Sequence, residues 1–482
     1  MPGPYTRRVT SDNGISPITT LIDLRGRDAA GLSRRALAGV LPRAALDVDR
    51  AVDLVKPITE DVRVRGAAAV REYTLRFDGV DLAHTRVPEE AIQHALATID
   101  PAVRDALEEA ARRARVVHEA QFPERRDSLP AEGLTVSTRF VPVERAGVYV
   151  PGGLVAYPSS VVMNVVPAQA AGVDSIAVAS PPQQEFGGLP HPAVLAACAL
   201  LGIKEVHAVG GAQALAMFAY GTDDCDPVDV ITGPGNVYVA AAKRILQGTV
   251  GTDGENGPTE IGIIADHTAD PAHLAADLTG QAEHDELAAC LLITTDPDTP
   301  ARVDAELARQ IPLTKHRERV ITALSGNAGY VLVDDLAAAV RVSDAWAPEH
   351  LEVQTSDAAK VASQVRNAGA IFVGPYSPVS LGDYLAGSNH VLPTGGTARH
   401  TSGLSVYPYL KVVNVIECDR DSLAAVAPRV DALGGAEDLA AHVAAVRARV
   451  PRAVPETASL KTASLKTVAL KTVVPEPGDG AR

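Results

Sequence analysis

Val206-His207-Ala208-Val209-Gly210-Gly211-Ala212-Gln213-Ala214-Leu215-Ala216-Met217 changes character in mid-stretch. A short apolar run reaches two glycines, and a run of good helix formers follows. This is a strand that breaks at glycine into a helix, half of a βαβ unit. The same grammar recurs on both sides. Upstream, 175–180 (Ser-Ile-Ala-Val-Ala-Ser) reads as a strand between helices over 159–171 and 191–202. Downstream, 228–231 reads as a strand, and Gly233-Pro234-Gly235-Asn236 turns the chain into a helix over 237–246. Strand–turn–helix repeated is the rhythm of a parallel sheet with helical crossovers.

A second block repeats it. Strands are predicted over 260–265, 289–295, 330–333, 352–354 and 371–373, with helices over 301–325 and 335–345. Asp270-Pro271, an N-cap followed by an N1 proline, opens a further helix that the pattern carries through His284. Before these blocks, 133–150 is β-branched and alternating, hence strands, and 33–78 and 88–120 read as helices, the former interrupted by Pro42 and the latter including a long amphipathic helix begun at Asp100-Pro101. Residues 378–411 are glycine-rich and irregular. A loop that long in a compact protein is functional or disordered, and Asp383, Asn389 and His390 favour function. Residues 421–449 read as a helical tail. The first 20 residues read as frayed, and the Leu-Lys-Thr repeats of 451–482 as a disordered extension. The fold class expected is α/β: two Rossmann-like parallel-sheet domains plus N-terminal helices and a C-terminal helical tail.

Composition narrows the function. The 482 residues are 46% hydrophobic and 21% charged, an ordinary globular balance, with a net charge of -15. An acidic surface argues against nucleic acid as partner. No apolar run approaches the roughly 20 residues that span a bilayer. Four scattered cysteines (Cys198, Cys225, Cys290, Cys418) form no disulfide framework and no CxxC, which fits a reducing, cytoplasmic compartment.

Gln281 and His284 stand three apart in a helical pattern and so share a face. Spacing alone leaves them more often structural than ligating, and an amide is an unusual zinc ligand. Gly280 beside them suggests close approach by a backbone or a ligand. Glu349-His350 pairs two common proton carriers after Pro348; a plain helix start explains it equally well. Asp383 and His390 share the irregular loop, where turn chemistry is the alternative. Glu437 and His442 lie in the tail, where a solvated helix face is the simpler explanation. Two imidazoles, a carboxylate and an amide oxygen together suit a borderline divalent ion such as zinc or manganese. The glycine turns after strands are where phosphates dock on helix N-termini, although no GxGxxG is present.

In order along the chain, Val148-Tyr149-Val150-Pro151-Gly152-Gly153, Gly211-Ala212-Gln213-Ala214, Gly233-Pro234-Gly235-Asn236, Gln281-Ala282-Glu283-His284, Ala347-Pro348-Glu349-His350-Leu351 and Gly382-Asp383-Tyr384 through Ser388-Asn389-His390 resemble the histidinol dehydrogenase family, over roughly residues 30–450. The resemblance implies a zinc- and NAD-dependent, four-electron oxidation of L-histidinol to L-histidine through L-histidinaldehyde, the last step of histidine biosynthesis, in a cytoplasmic homodimer. It implies Gln281, His284, Asp383 and His442 as zinc ligands and Glu349 and His350 as proton acceptors, His350 as a neutral imidazole near pH 7. Tyr149, Gln213 and Asn236 would line the NAD site. Thr259, His390 and Glu437 would contact the substrate, together with the metal ligands and His350.

The implied domains are an N-terminal segment 1–32; a discontinuous α/β domain, 33–148 with 260–400, carrying the metal and catalytic residues; an NAD-binding domain 149–259; a tail 401–450 exchanged between subunits; and the extension 451–482. One departure stands out: the family's Pro-Ala-Gly-Pro-Ser-Glu becomes Glu255-Asn256-Gly257-Pro258-Thr259-Glu260, which keeps a hydroxyl but adds a methyl. Rival readings are a dehydrogenase of the same fold acting on another amino or sulfonated alcohol, and a zinc hydrolase with Glu349 as base.

Overall fold

A computed structural model describes residues 6–8, 17–28, 30–44, 48–152, 156–255 and 257–450. The predicted extension 451–482 and most of the predicted frayed start lie outside the described residues. The described chain divides into two units. One holds residues up to 124 and 140–413, the other 125–139 and the residues from 414 onward.

Two parallel sheets build the first unit. The smaller has the order Glu205–Ala208, Ser175–Ser180, Arg145–Tyr149, Val230–Thr232, Gly251–Thr252, all parallel. In sequence terms this is 3-2-1-4-5. The winding reverses between Arg145–Tyr149 and Val230–Thr232, and that switch point leaves a crevice beyond the carboxyl ends of the two strands. The crossovers are the helices Pro158–Ala171, Pro192–Leu200, Gly211–Tyr220 and Val237–Leu246. Their small, apolar sequences are buried almost throughout, as parallel strands covered on both faces require.

The larger sheet repeats the winding. Its order is Thr6–Arg8, Thr20–Asp23, Ala328–Leu332, Ala289–Thr294, Glu260–Ala265, His350–Gln354, Ala370–Val373. The last five are again 3-2-1-4-5 and parallel. Thr20–Asp23 extends them in parallel, and only Thr6–Arg8 runs antiparallel. All six residues of Glu260–Ala265 and of Ala289–Thr294 are buried. The fold class is therefore α/β with two parallel-sheet halves, as the strand–turn–helix grammar predicts.

The structure corrects the reading of the N-terminus and the tail in two places. Thr6–Arg8, inside the stretch read as frayed, and Thr20–Asp23 at its end are strands, both too short to show a period. Leu410–Cys418 is a strand where an irregular loop and then a helical tail were expected. The loop itself is partly ordered as helix over Val379–Tyr384.

The second unit carries a hairpin in which Arg126 pairs with Thr138, part of a sheet ordered Leu410–Cys418, Leu134–Pro142, Arg126–Ala131. Two helices follow, Arg420–Ala436 and Ala440–Arg447. They cross closely: a Cβ on Gly434 would lie 2.6 Å from Val443. The Arg447 guanidinium binds the Asp431 carboxylate across the pair.

No described helix is long and apolar enough to cross a membrane. Cys198, Cys225 and Cys290 are buried, Cys418 is exposed, and all four are free thiols.

Candidate active site

The chemistry-bearing residues of the larger sheet gather at its amino edge. Thr259 precedes the strand Glu260–Ala265, and Glu349 precedes the neighbouring strand His350–Gln354, so the two reach that edge side by side. The helix Pro271–Ala282 returns the chain to the same edge. Six residues of strand advance about 20 Å and twelve of helix come back about 18 Å, which brings Gln281, in the last turn, level with Thr259.

The contacts follow from that placement. The buried Gln281 amide nitrogen donates to the Thr259 hydroxyl. Thr259 Oγ1 donates in turn to Glu349 Oε2 at 2.6 Å. The Glu260 backbone N–H donates to the same oxygen at 2.9 Å, and the Glu260 carbonyl meets His350 Nδ1 at 3.0 Å. One residue's main chain thus orients both members of the Glu349–His350 pair, whose side chains stand 3.4 Å apart.

Asp383 enters on the helix Val379–Tyr384. Its Oδ1 lies 3.9 Å from His350 Nε2. Gly382 is required there, since a Cβ would sit 2.6 Å from the Phe372 ring. The following loop is pinned by Asn389, whose Nδ2 donates to the Met163 carbonyl at 2.6 Å and whose Oδ1 accepts from Val391 N at 2.9 Å. The charges of Asp383, His350 and Glu349 all act on His390, which places it in the same cluster.

Electrostatics set the protonation. Burial pulls the His350 imidazole down, but Glu349 and Asp383 outweigh it and hold it at about 9. Glu349, its neighbour in sequence, and Asp383, which the fold brings in, thus favour the protonated imidazole over the neutral one expected near pH 7. His390 is lowered by burial. Burial pushes the Glu260 carboxyl up to about 7, against the pull of Arg43 and with the push of Glu349. Two nitrogens, His350 Nε2 and His390 Nε2, are buried and without a hydrogen-bond partner. Buried polar atoms in this state mark places where another molecule or ion completes the bonding.

Two expectations about the metal helix are corrected. It stops at Ala282 rather than running through His284. Asp285 forms an Asx turn, its Oδ1 accepting from Leu287 N at 2.7 Å, and this competes with further helix. His284 sits one residue past the C-cap Glu283, exposed, with its N–H on the Gln281 carbonyl at 3.3 Å. Nor is Gly280 crowded: a Cβ there would meet nothing within 4 Å. Glu437 and His442 are exposed in the second unit, Glu437 as C-cap of Arg420–Ala436 and His442 within Ala440–Arg447.

The donor set suits a divalent ion. With the Gln281 nitrogen committed to Thr259, its amide oxygen remains as ligand atom, beside a carboxylate and imidazoles. A different trio, Glu205, His207 and Cys225, also has ligand atoms within 4.8 Å of one another. There the positions are already taken. Arg145 binds both Glu205 oxygens at 2.6 and 3.0 Å, and His207 Nδ1 pairs with Thr85 at 2.9 Å. That trio is an ion-pair network.

Arg43 is a member of the site that the sequence does not announce. It pairs with Glu260 at 2.6 Å, donates to the Trp346 carbonyl at 2.8 Å and stacks on the Trp346 ring at 4.7 Å. It braces the turn at Ala347, a non-glycine residue at φ +55, just before Pro348 and Glu349. A lone arginine after Pro42 carries no signal of this role.

A second locus lies at the switch point of the smaller sheet. Tyr149, at the end of its strand, touches both glycine turns. Its hydroxyl accepts from Gly211 N at 3.1 Å. Its carbonyl is so near Gly233, at φ +122, that a Cβ there would lie 1.9 Å away. Burial pushes the Tyr149 phenol up to about 12. Gln213 is buried in the first turn of Gly211–Tyr220, and Asn236 Oδ1 caps Val237–Leu246 by accepting from Tyr238 N and Val239 N at 3.0 and 3.2 Å. A helix N-terminus beside a glycine turn at a switch point is the kind of place where phosphorylated ligands dock.

The chain as a whole is similar to known proteins. A family model described as histidinol dehydrogenase matches residues 41–450. The histidinol dehydrogenase of Thermobifida fusca (strain YX) is 61% identical over 436 residues, 90% of this chain and 98% of the relative. That of Streptomyces avermitilis is 56% identical over 438 residues, 90% of this chain and 99% of the relative. Among solved structures, a histidinol dehydrogenase from Elizabethkingia anophelis aligns with a TM-score of 0.83 at 31% identity, covering 89% of this chain and 97% of that one.

Proposed function

The chain belongs to the histidinol dehydrogenase family, and from that premise we propose that it oxidises L-histidinol to L-histidine by way of L-histidinaldehyde, with zinc and NAD, as a cytoplasmic homodimer. The observation that carries this reading is the hydrogen-bonded run Gln281–Thr259–Glu349 beside His350, Asp383 and His390, with two buried imidazole nitrogens awaiting partners. The smaller sheet, whose central strand begins at Arg145 rather than at the expected boundary of 149, forms the nucleotide half, with Tyr149, Gln213 and Asn236 lining the cofactor.

Gln281, His284, Asp383 and His442 would hold zinc, which supplies a Lewis-acid anchor for the substrate's amino and imidazole nitrogens. Bound NAD supplies the hydride acceptor. The chain's own residues manage protons and position. His350 Nε2, the unpartnered atom facing Asp383, takes the hydroxyl proton in the first oxidation. Were Asp383 to hold zinc, its pull on the His350 proton would weaken, and with it the smaller of the two carboxylate contributions that raise this imidazole. Glu349, oriented by Thr259 and the Glu260 N–H, draws a proton from the water that adds to the aldehyde before the second oxidation. Thr259, His390 and Glu437 fix the substrate's orientation. His442 and Glu437, both exposed on the tail, would be supplied by the tail of the other copy in the homodimer.

The test is NADH formation on adding L-histidinol to the purified protein. We expect two NADH per histidinol, lost with a chelator and restored by zinc. No NADH from histidinol with zinc present would overturn the proposal. A zinc hydrolase would give none from any alcohol, and a dehydrogenase for another alcohol would give it only there.

A further inference from the structure

Two charged side chains buried beside the Gly233 turn take no part in the chemistry above. Lys243 lies within the helix Val237–Leu246 and is 1% exposed; the Asp253 side chain is also 1% exposed. Lys243 Nζ donates to the Gly233 carbonyl at 2.6 Å and to Asp253 Oδ1. Asp253 Oδ2 accepts from the Gly233 N–H at 2.8 Å. The two ends of one ion pair thus grip the two peptide groups of a single glycine.

The grip falls where the chain has most freedom to lose. Glycine at φ +122 is open to many other conformations, and next to Tyr149 no other residue fits. Three residues on, Asn236 is tied down by capping the helix. Between clamp and cap, the four residues Gly233 to Asn236 have no slack. Packing does not explain the choice of residues. Burying two charges costs desolvation that their attraction does little more than offset, and aliphatic side chains of similar volume fill such space as well. Aliphatic side chains cannot hydrogen-bond Gly233.

We infer that Lys243 and Asp253 are positioning residues for the dinucleotide: by holding both peptide groups of Gly233 they set the Gly233–Asn236 turn in its binding shape before the cofactor arrives. A preformed site does not pay for ordering on binding, and so binds more tightly. The inference rests on the assignment of this turn to NAD made above.

Calorimetric titration of NAD into the full-length protein tests it. The double variant Lys243→Gln with Asp253→Asn leaves no buried charge unpaired and is the main test. Lys243→Met with Asp253→Leu also leaves no buried charge unpaired and serves if the first double variant does not fold. The expected result for the double variant is a Kd for NAD raised about tenfold, with zinc content and the KM for histidinol unchanged; the aliphatic pair, which cannot hydrogen-bond Gly233, should raise it at least as much. A purely structural role would lower the melting temperature and leave NAD affinity intact in the folded protein, and that result would overturn the inference. Asn236→Ala is titrated in parallel. If it too leaves NAD affinity unchanged, the cofactor does not use this turn and the assignment itself fails. If it weakens binding while the clamp variants do not, only the positioning role falls.

Discussion

The Thr259 hydroxyl donates to the Glu349 carboxylate at 2.6 Å while accepting from the Gln281 amide, so one hydroxyl joins a proposed metal ligand to a proposed base. Both bonds depend on the oxygen and neither on the methyl. Thr259→Ser should therefore retain most of kcat and shift mainly the KM for histidinol. Thr259→Val keeps the shape and removes both bonds. A hydrogen bond to a charged group contributes about 1.5–3 kcal/mol, so kcat/KM should fall roughly 10- to 150-fold. Steady-state kinetics of the two variants checks this, and equal effects would refute it.

Glu349 and His350 are proposed to serve different half-reactions. Glu349→Gln should slow oxidation of the aldehyde far more than that of the alcohol, because only the former needs water activated. Supplying L-histidinol and L-histidinaldehyde separately, with NADH as readout, separates the two. A uniform loss would remove the division of labour.

Arg43 compensates the buried Glu260. Arg43→Met leaves that carboxylate without its cation, at a cost of about 3 kcal/mol or more. Adding Glu260→Gln should recover part of it. Urea denaturation of the wild type, the two single variants and the double variant measures the coupling.

Glu205 gives the pH dependence. Burial alone would raise its carboxyl, but His207 and Arg145 hold it at about 2, below the ordinary 4.5. A depressed carboxylate stabilises the fold above the unfolded value and loses that contribution as pH falls from 4.5 towards 2. Allowing for partial exposure, about 2 kcal/mol should disappear across that window. Stability measured at the two ends should change less in Glu205→Gln.

The tail ligand can be tested in the full chain. His442→Ala should weaken zinc by about tenfold or more in chelator competition, with the helices Arg420–Ala436 and Ala440–Arg447 intact by circular dichroism. Unchanged affinity would take His442 out of the ligand set.

The sequence announced the sheet halves because parallel strands buried on both faces read as short apolar runs, and glycine and Asp-Pro punctuate them. Glu260–Ala265 and Val237–Leu246 were legible to the residue for that reason. The cluster was legible only as types of residue. Nothing in a linear spacing says that a strand and a returning helix set Thr259 level with Gln281. Arg43, Lys243 and Asp253 were invisible, because a charge in a sequence looks the same whether it faces water or a buried partner. The helix end before His284 was missed because the turn chemistry of Asp285 overrides a helical period.

Two copies of one winding use opposite rims. The smaller sheet sets Tyr149 and its two glycine turns at its carboxyl edge, while the larger gathers its candidate residues at the amino edge. The other rim of the larger sheet, where Asp266 ties back to Thr268 and Ser356, carries no assigned chemistry. Duplicating a scaffold did not duplicate its duties. A graft or tether on that rim is best placed in the turn 295–298, whose flanking strand Ala289–Thr294 and helix Thr299–Gln310 carry no residue of either site.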